Sequence, residues 1–235
     1  MEKRDHLNHF YELLDELDDR LGERQTLGEC YGRMGWPRRG VYFFFEPGEF
    51  REGGRTPRVV RVGTHALREG SKSTLWKRLR QHRGTISGKC LGGGSHRGSV
   101  FRRHIGSAII RRMNVENVYT SWGVGSSADS DTRKRECQIE KEVSTYIRQM
   151  AFLWLEVDDE PGPNSIRGYI ERNAIGLLSN YSKLATPKAL DSPSTDWIGH
   201  HCQNEKVRGS GLWNSNHTVE SYESNFLETL ESHIK

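Results

Sequence analysis

The sequence predicts an α+β fold: a small antiparallel or mixed β-sheet flanked by helices, with helical and loop insertions. Two segments rich in aromatic and β-branched residues, 40–46 and 58–64, lie close together, with turn-forming residues between them. This pattern predicts a β-hairpin. Helix-like segments follow, then a third strand at 151–157 and another helix. Because a sheet buries its apolar faces under other elements, we expect helices to cover this one.

The first element is an amphipathic helix at 5–22. Its apolar residues recur at spacings of three and four, which is typical of a helix with one buried face; they are Leu7, Phe10, Leu14, Leu17 and Leu21. The helix could pack on its own domain or on a second copy of the chain, and the pattern does not choose. In the hairpin that follows, Pro47-Gly48 and Gly53-Gly54 predict a long loop.

Five more helices are predicted, at about 74–82, 99–113, 133–149, 164–179 and 219–233, with glycine-rich or polar loops at 84–98 and 120–131. These elements suggest three parts. Residues 1–30 form the N-terminal helix and a linker, residues 31–181 form the core domain with an insertion at about 84–132, and residues 182–235 form a C-terminal extension. We expect the extension to pack back on the core, because Trp197 and Trp213 stand between polar loops.

Composition narrows the class of protein. The mean hydropathy is −0.77 and 34% of residues are hydrophobic, with no apolar run near the roughly 20 residues of a membrane span. No apolar segment follows the charged N-terminus, so we expect no secretory signal and a cytoplasmic location. The four cysteines form no CxxC pair, which predicts ordinary reduced thiols. A metal site joining Cys202 to His200 and His201 is the weaker alternative.

Positive charge is concentrated in one window. Residues 68–112 contain 12 Lys/Arg and one acidic residue, a net charge of +11, whereas the rest of the chain has 23 basic and 30 acidic residues. A solvated surface is the usual explanation of a charged run. Here the near absence of acidic residues favours contact with a nucleic acid.

Four side chains suggest phosphodiester chemistry. Tyr42 stands in the first hairpin strand, where a phenol can orient or deprotonate water. Arg78 and His82 are four residues apart and share a helix face at the border of its apolar stripe, where a charge is costly unless it is used. Glu171 lies at the edge of the apolar stripe of the 164–179 helix, where a carboxylate could bind a hard cation. Structural roles compete in each case: a packed strand tyrosine, snorkelling basic residues, and a glutamate that favours the dipole of a helix first turn.

In order, Gly40-Val41-Tyr42, Val62-Gly63, Arg78-Leu79-Arg80-Gln81-His82 and Glu171 resemble the motifs of the GIY-YIG nuclease family. The resemblance covers roughly residues 38–181. It implies that Tyr42 activates or positions the attacking water, that Arg78 is the catalytic arginine with His82 as its partner, and that Glu171 binds one divalent metal ion. The family often has a later asparagine, for which Asn180 is the best candidate, while Asn173 and Asn214 stay open.

Three features depart from the family pattern. Arg61 stands where the second motif usually has tyrosine, and we interpret it as a substitute that polarises the phosphate or lowers the pKa of Tyr42. The hairpin loop is longer than usual. The segment between the Arg78 helix and the third strand is also long, and it resembles the insertions with which restriction-type members hold duplex DNA.

The predicted function is a Mg²⁺- or Mn²⁺-dependent endonuclease that hydrolyses DNA. The expected catalytic residues are Tyr42, Arg61, Arg78, His82, Glu171 and Asn180, with Glu171 as the metal ligand. The expected DNA contacts are Lys77, Arg80, Arg83, Lys89, His96, Arg97, Arg102 and Arg103. Cutting both strands would need a homodimer or two sequential nicks. The alternatives are a nucleic-acid-binding module of the same fold without activity, which Arg61 would favour, and a protein-interaction factor that assembles through the N-terminal helix.

Overall fold

The computed structural model describes residues 2–22, 24–86, 90–181 and 189–235. Seven helices and four strands are present in this part of the chain. In order they are α1 (Lys3–Leu21), β1 (Gln25–Thr26), β2 (Gly40–Phe50), β3 (Pro57–Gly63), α2 (Leu75–Arg83), α3 (Val100–Arg112), α4 (Ser130–Arg148), β4 (Ala151–Glu156), α5 (Ile166–Leu178), α6 (Glu205–Ser210) and α7 (Phe226–Ile234). The strands form one antiparallel sheet in the order β1-β4-β2-β3, which confirms the predicted α+β class.

Strand β2 is buried on both faces. Val41, Phe43 and Phe45 belong to the apolar cluster that α1, α5 and α7 complete, whereas Tyr42 and Phe44 belong to the cluster formed with α2, α3 and α4. Successive strand residues point to opposite faces, so the aromatic run serves both layers. Tyr42 is thereby directed to the same side of the sheet as α2 and α3.

The predicted turn at Pro47-Gly48 is wrong, because β2 continues through these residues to Phe50. The pairing register with β3 shifts between Phe45 and Phe50, and Gly48 has a φ of 86°. Such an irregularity accommodates a proline, which cannot donate to the ladder. The chain reverses at 51–56 instead, where Arg51 N–H donates to Thr56 O at 2.9 Å.

Helix α1 packs on the sheet of its own chain. Its buried side chains are Leu7, Phe10, Tyr11, Leu13, Leu14 and Leu17. The ring of Phe10 lies 5.8 Å from that of Phe43, and the backbone N–H of Val59 donates to Tyr11 Oη at 3.0 Å. The apolar face is thus used within the chain, and its alternative role in pairing two copies finds no support here.

The C-terminal segment covers the edge strand β3. The backbone N–H of Trp213 donates to Val60 O at 2.7 Å. The carboxylate of Glu46 accepts hydrogen bonds from the indole N–H groups of Trp213 at 2.9 Å and of Trp197 at 3.2 Å. Unpaired strand edges are prone to association, and this segment occupies most of one. Helix α6 was not predicted, and α7 is shorter than the helix expected at 219–233. The division of the chain at residues 30 and 181 stays a prediction.

The expectation of four reduced thiols is wrong. Cys90 and Cys137 form a disulfide, while Cys30 and Cys202 are free and buried. The bonded pair is 47 residues apart in sequence, so spacing alone did not reveal that α4 lies against the loop carrying Cys90. The described residues contain no group of three or more His, Cys, Asp or Glu side chains arranged to hold a metal, and no helix long and apolar enough to cross a membrane.

Candidate active site

The two glycines of the hairpin motifs are required by close approaches. Tyr42 and Gly63 are direct partners in the β2–β3 pair. A Cβ atom on Gly63 would lie 2.4 Å from Tyr42 Oη, and one on Gly40 would lie 2.4 Å from Leu155 O. Since real Cβ atoms do not approach other atoms so closely, a side chain at either position would displace its neighbour. Gly63 therefore provides the space in which the phenol of Tyr42 lies.

Tyr42, His82 and Ser99 form a buried hydrogen-bonded chain. Tyr42 Oη lies 2.8 Å from His82 Nε2, and His82 Nδ1 lies 2.8 Å from Ser99 Oγ. Burial lowers the pKa of His82 well below 6.5, and Arg78, Arg61 and Arg102 act in the same direction. His82 is therefore neutral at pH 7, with one donor and one acceptor nitrogen. When Nδ1–H donates to Ser99, Nε2 accepts the Tyr42 hydroxyl hydrogen.

Local structure explains this geometry. Helix α2 begins after Thr74, whose Oγ1 accepts the backbone N–H of Lys77. Leu75, Leu79 and His82 form the buried side of this helix, and His82 lies in its last turn. Ser99 is the N-cap of α3 and accepts Arg102 N–H at 3.3 Å. The sequence interpretation did not identify Ser99. Its signal was a serine at the first position of the helix predicted at about 99–113, a residue type that is typical of a helix cap.

Two arginines from different elements, Arg61 on β3 and Arg78 on α2, lie near the Tyr42–His82 pair. Arg61 is buried, its Nη1 donates to Trp213 O at 2.7 Å, and its guanidinium carbon lies 4.7 Å from the centre of the Phe101 ring. Burial lowers the pKa of Arg61, whereas Tyr42 and Glu171 raise it. Arg78 is partly buried, with Nη1 3.3 Å from Gly98 O. The buried Nε atoms of both arginines have no hydrogen-bond partner among the described residues.

Glu171 is the sixth residue of α5, so it does not lie in the first turn of the helix, as one structural explanation assumed. Its Oε1 accepts the backbone N–H of Thr64 at 3.2 Å, just beyond β3. Burial raises the pKa of Glu171, and the charges of Arg61, His217 and Arg78 and the Thr64 hydrogen bond oppose this rise. The partly buried carboxylate lines a cavity of about 790 Å³, together with His217 and Leu67.

His65 and His217 are further histidines near these residues that sequence interpretation missed. His65 is buried, and neither ring nitrogen has a hydrogen-bond partner among the described residues. Burial lowers its pKa to about 4, and the charges of Arg167 and Arg78 add to the effect. His217 has a positive φ of 61° and pairs with Glu220 at 2.9 Å. No pattern in the sequence links either residue to the motifs.

The donor set around Glu171 fits a single divalent cation that depends on its substrate for ligands. Glu171 is a hard carboxylate ligand at a cavity, and the described residues supply no cluster of three or more ligating side chains. Mg²⁺ keeps several waters and commonly binds through one or two carboxylates plus substrate phosphates. The residues therefore suit a metal brought together with a phosphate better than a permanent structural ion.

The three candidate asparagines have different surroundings. Asn180 Nδ2 donates to the backbone oxygens of Asp191 at 2.7 Å and Ser210 at 3.2 Å, so its amide ties the C-terminal segment to α5. Asn173 bonds to Tyr169 O and Glu223 N–H. Asn214 pairs with both backbone groups of Val62, at 2.8 and 3.1 Å. Asn214 is thus attached to the strand that carries Arg61, whereas the contacts of Asn180 are with the backbone of the extension.

The predicted DNA contacts divide into exposed and buried side chains. Lys77, Arg80 and Arg103 are exposed, and Arg83 is partly buried above the Trp76 ring. Lys89 lies outside the described residues.

Three of the predicted contacts require correction, because their polar groups are used inside the protein. Arg102 is fully buried and forms an ion pair with Glu140 of α4. Oε1 of Glu140 also lies 2.9 Å from His96 Nδ1. Arg97 pairs with Glu136 at 2.6 Å, and its side chain is 6% exposed. We therefore remove His96, Arg97 and Arg102 from the proposed DNA-contacting set. Acidic residues of α4, outside the basic window in sequence, neutralise part of it in space.

Comparison with known proteins identifies one family. The family described as GIY-YIG domain matches residues 1–235. No curated protein and no solved structure matches the chain.

Proposed function

The chain belongs to the GIY-YIG domain family, whose members are generally endonucleases, and we propose that this protein is a metal-dependent endonuclease that hydrolyses phosphodiester bonds in DNA. The observation that carries the proposal is a group of unpaired buried polar atoms on residues of β3 and α2 and of the segment directly after β3. Arg61 Nε, Arg78 Nε and both ring nitrogens of His65 lack partners among the described residues. Buried polar groups are nearly always paired, and such a group suits the oxygens of a bound phosphate.

In this proposal Tyr42 and His82 activate the attacking water. The neutral His82 accepts the hydrogen of the phenol and fixes its orientation, while Ser99 fixes the imidazole. As the oxygen of water bonds to phosphorus, Tyr42 takes the water proton while its own phenol proton passes to His82 Nε2. The phosphorus–O3′ bond breaks, and O3′ takes a proton from solvent. Tyr42 and His82 are fully buried, so the reacting water must enter with the substrate, beside Arg61.

Arg61 and Arg78 would stabilise the negative charge that develops on the phosphate. A guanidinium can bind two phosphate oxygens at once, and its charge is stronger in a site that excludes water. The unpaired Nε–H groups mean that the arginines could bind a phosphate without giving up internal hydrogen bonds from these atoms. Asn214 is our candidate for the later asparagine of the family, in a positioning role, because it fixes β3 beside Arg61.

Glu171 is the proposed ligand of the divalent cation, Mg²⁺ or Mn²⁺. When bound, the cation would supply charge neutralisation at the scissile phosphate and at the O3′ leaving group. The Thr64 N–H and the nearby arginine charges favour the ionised carboxylate, which is the form that a cation needs.

The alternative of an inactive nucleic-acid-binding module rests on Arg61, which replaces the usual tyrosine of the second motif. Supercoiled plasmid incubated with the purified protein, in Mg²⁺ or in EDTA, distinguishes the two. The proposal expects nicked or linear DNA only with Mg²⁺. Retarded migration that fades with salt, without cleavage of any of several DNA substrates in Mg²⁺ or Mn²⁺, would contradict it and support the binding module.

A further inference from the structure

A second cavity, of about 830 Å³, lies beside α3. One wall is formed by α3, the second by the segment 116–124, and the third by Gln203 and Asn204, which follow the short helical turn at Ile198–His201. Its volume falls within the roughly 300–1,000 Å³ of small-molecule sites. The disulfide, the Tyr42 chain and Glu171 are not part of its lining.

The cavity adjoins the proposed catalytic residues through α3. Phe101, whose ring faces the guanidinium of Arg61, and His104, which lines the cavity, are three residues apart and share one face of the helix. Arg61 is also close enough for its charge to lower the pKa of His104. The cavity therefore begins about one helical turn from the arginine that we place at the scissile phosphate.

Several polar groups of the lining are unused within the described part of the chain. His104 is 4% exposed, and its Nε2 is buried without a hydrogen-bond partner. Asn204 uses Oδ1 to cap α6, and no bond is made by its Nδ2. Within the described ranges, the side-chain amide of Gln203 and the hydroxyl of Tyr119 also make no hydrogen bond. Together these groups offer donors and acceptors around an aromatic wall, a combination that suits the edge of a nucleobase.

Charge at the cavity suits a nucleotide better than an uncharged ring. Arg103 is exposed at the lining and makes no side-chain hydrogen bond or ion pair within the described residues. Arg111 also lines the cavity, and its partner Glu116, at 3.9 Å, is the one acidic residue of the lining. Guanidinium groups beside a base-sized space can bind the phosphates on either side of one nucleotide.

From these observations we propose that the cavity beside α3 binds one unpaired nucleotide of the DNA substrate, next to the phosphate that is cut. This inference rests on the proposed nuclease function. A base cannot enter a pocket of this size while it stays stacked and paired in a duplex, so the nucleotide must be bulged, single-stranded or turned out of the helix. The protein should therefore cut most rapidly where such a nucleotide lies beside the scissile bond.

Two measurements with the full chain test this inference. The first is binding of free deoxynucleoside monophosphates by saturation-difference NMR. The second is the cleavage rate of a duplex with one bulged nucleotide, compared with that of the same duplex fully paired. Both are repeated with the double variant Gln203→Leu/Asn204→Ser, which keeps a cap oxygen for α6 while removing both amides and adding no charge. The control is Gln149→Leu, which makes the glutamine-to-leucine change at an exposed position outside the cavity.

We expect the monophosphates to bind the parent and the control, and to bind the double variant about tenfold more weakly or worse. The bulged duplex should be cut at least about tenfold faster than the paired one, and the double variant should lose this preference while retaining its thermal melting temperature. Equal binding by all three proteins, or equal cleavage of both duplexes by a parent that does cut, would overturn the inference. Binding lost in the double variant, with no cleavage of any DNA by the parent, would keep the nucleotide site and reject the nuclease.

Discussion

The hydroxyl of Tyr42 is the reactive group in this account. Its ring is fully buried and packs against the backbone of Gly63. Removing the hydroxyl oxygen should therefore change the chemistry more than the packing. Phenylalanine fills the same volume. The substitution leaves His82 Nε2 as a buried atom without its partner, which costs roughly 1–3 kcal/mol of folding free energy.

Tyr42→Phe is therefore expected to lower the single-turnover rate of cleavage by about 100-fold or more, since it removes a positioned proton acceptor. The matched control is Tyr31→Phe, at a tyrosine that is 57% exposed. Rates of both variants should be compared at saturating protein, with DNA affinity measured in parallel. A Tyr42→Phe protein that cuts as fast as the control would exclude the hydroxyl from the reaction.

If Glu171 is the metal ligand, as proposed, its carboxylate should set the acid limit of the reaction. Burial raises its pKa above the usual 4.5, and the ionised form is the one that binds a cation. As pH falls, protonation of Glu171 should therefore reduce kcat/KM at higher pH than an ordinary glutamate would. Because the cation competes with the proton, raising the Mg²⁺ concentration should move this acid limb to lower pH. If the acid limb of the pH profile does not move with the Mg²⁺ concentration, Glu171 is not the metal ligand.

At the scale of elements, α4 fixes the basic segment that precedes it. Glu140 accepts hydrogen bonds from Arg102, His96 Nδ1 and the His96 backbone, and Glu136 pairs with Arg97. Sequence inspection placed these basic residues on a DNA-binding surface because the acidic partners lie 38 or more positions away along the chain. The pairing instead joins α3 and the Cys90 loop to α4.

Glu140→Gln tests this structural assignment. The change leaves the fully buried guanidinium of Arg102 without its ion-pair partner, and loss of one partner of a buried pair costs about 3 kcal/mol or more. Denaturant unfolding should show this loss, whereas Glu142→Gln on the exposed side of the same helix should change stability by less than about 0.5 kcal/mol. If both variants unfold with the same free energy, the Arg102–Glu140 ion pair does not stabilise the packing of α3 on α4.

The sequence predicted the elements better than their contacts. The run of aromatic and β-branched residues located β2, and the apolar spacing located α1, because each is a local pattern. Pro47-Gly48 misled because a turn dipeptide can also form a bulge, which depends on the partner strand. Motif order predicted that Tyr42 and His82 belong to one site, whereas Ser99, Thr64 and His65 were not predicted, since only folding brings them to these positions.

For the whole molecule, the burial of neutral histidines predicts acid sensitivity. Burial lowers the pKa of His65 to about 4 and that of His104 to about 3, and lowers that of His82 as well. Below the unfolded value of 6.5, the unfolded chain binds more protons than the folded one. Each histidine then removes about 1.4 kcal/mol of unfolding free energy per pH unit until its folded pKa is reached.

The contribution of these histidines to the free energy of unfolding should therefore fall between pH 7.5 and pH 5.5. The buried carboxylates whose pKa is raised, Glu46, Glu171 and Asp191, act in the opposite direction, so the comparison of variants isolates the histidines. His104→Gln should make this decline shallower, whereas His201→Gln, at an exposed histidine, should leave its slope unchanged. Chemical denaturation at each pH measures both. The same slope in all three proteins would contradict the assignment of buried neutral imidazoles.

The central claim joins the whole site: a carboxylate on α5 supplies the metal ligand for chemistry at Tyr42 on β2. The most direct measurement is single-turnover cleavage of end-labelled DNA in Mg²⁺ by the parent, by Glu171→Gln and by the exposed control Glu228→Gln, with DNA binding measured in parallel. The account predicts that Glu171→Gln binds DNA like the parent and cuts it at least about 1,000-fold more slowly, while Glu228→Gln cuts normally. Cleavage by Glu171→Gln at the rate of the parent would contradict the account.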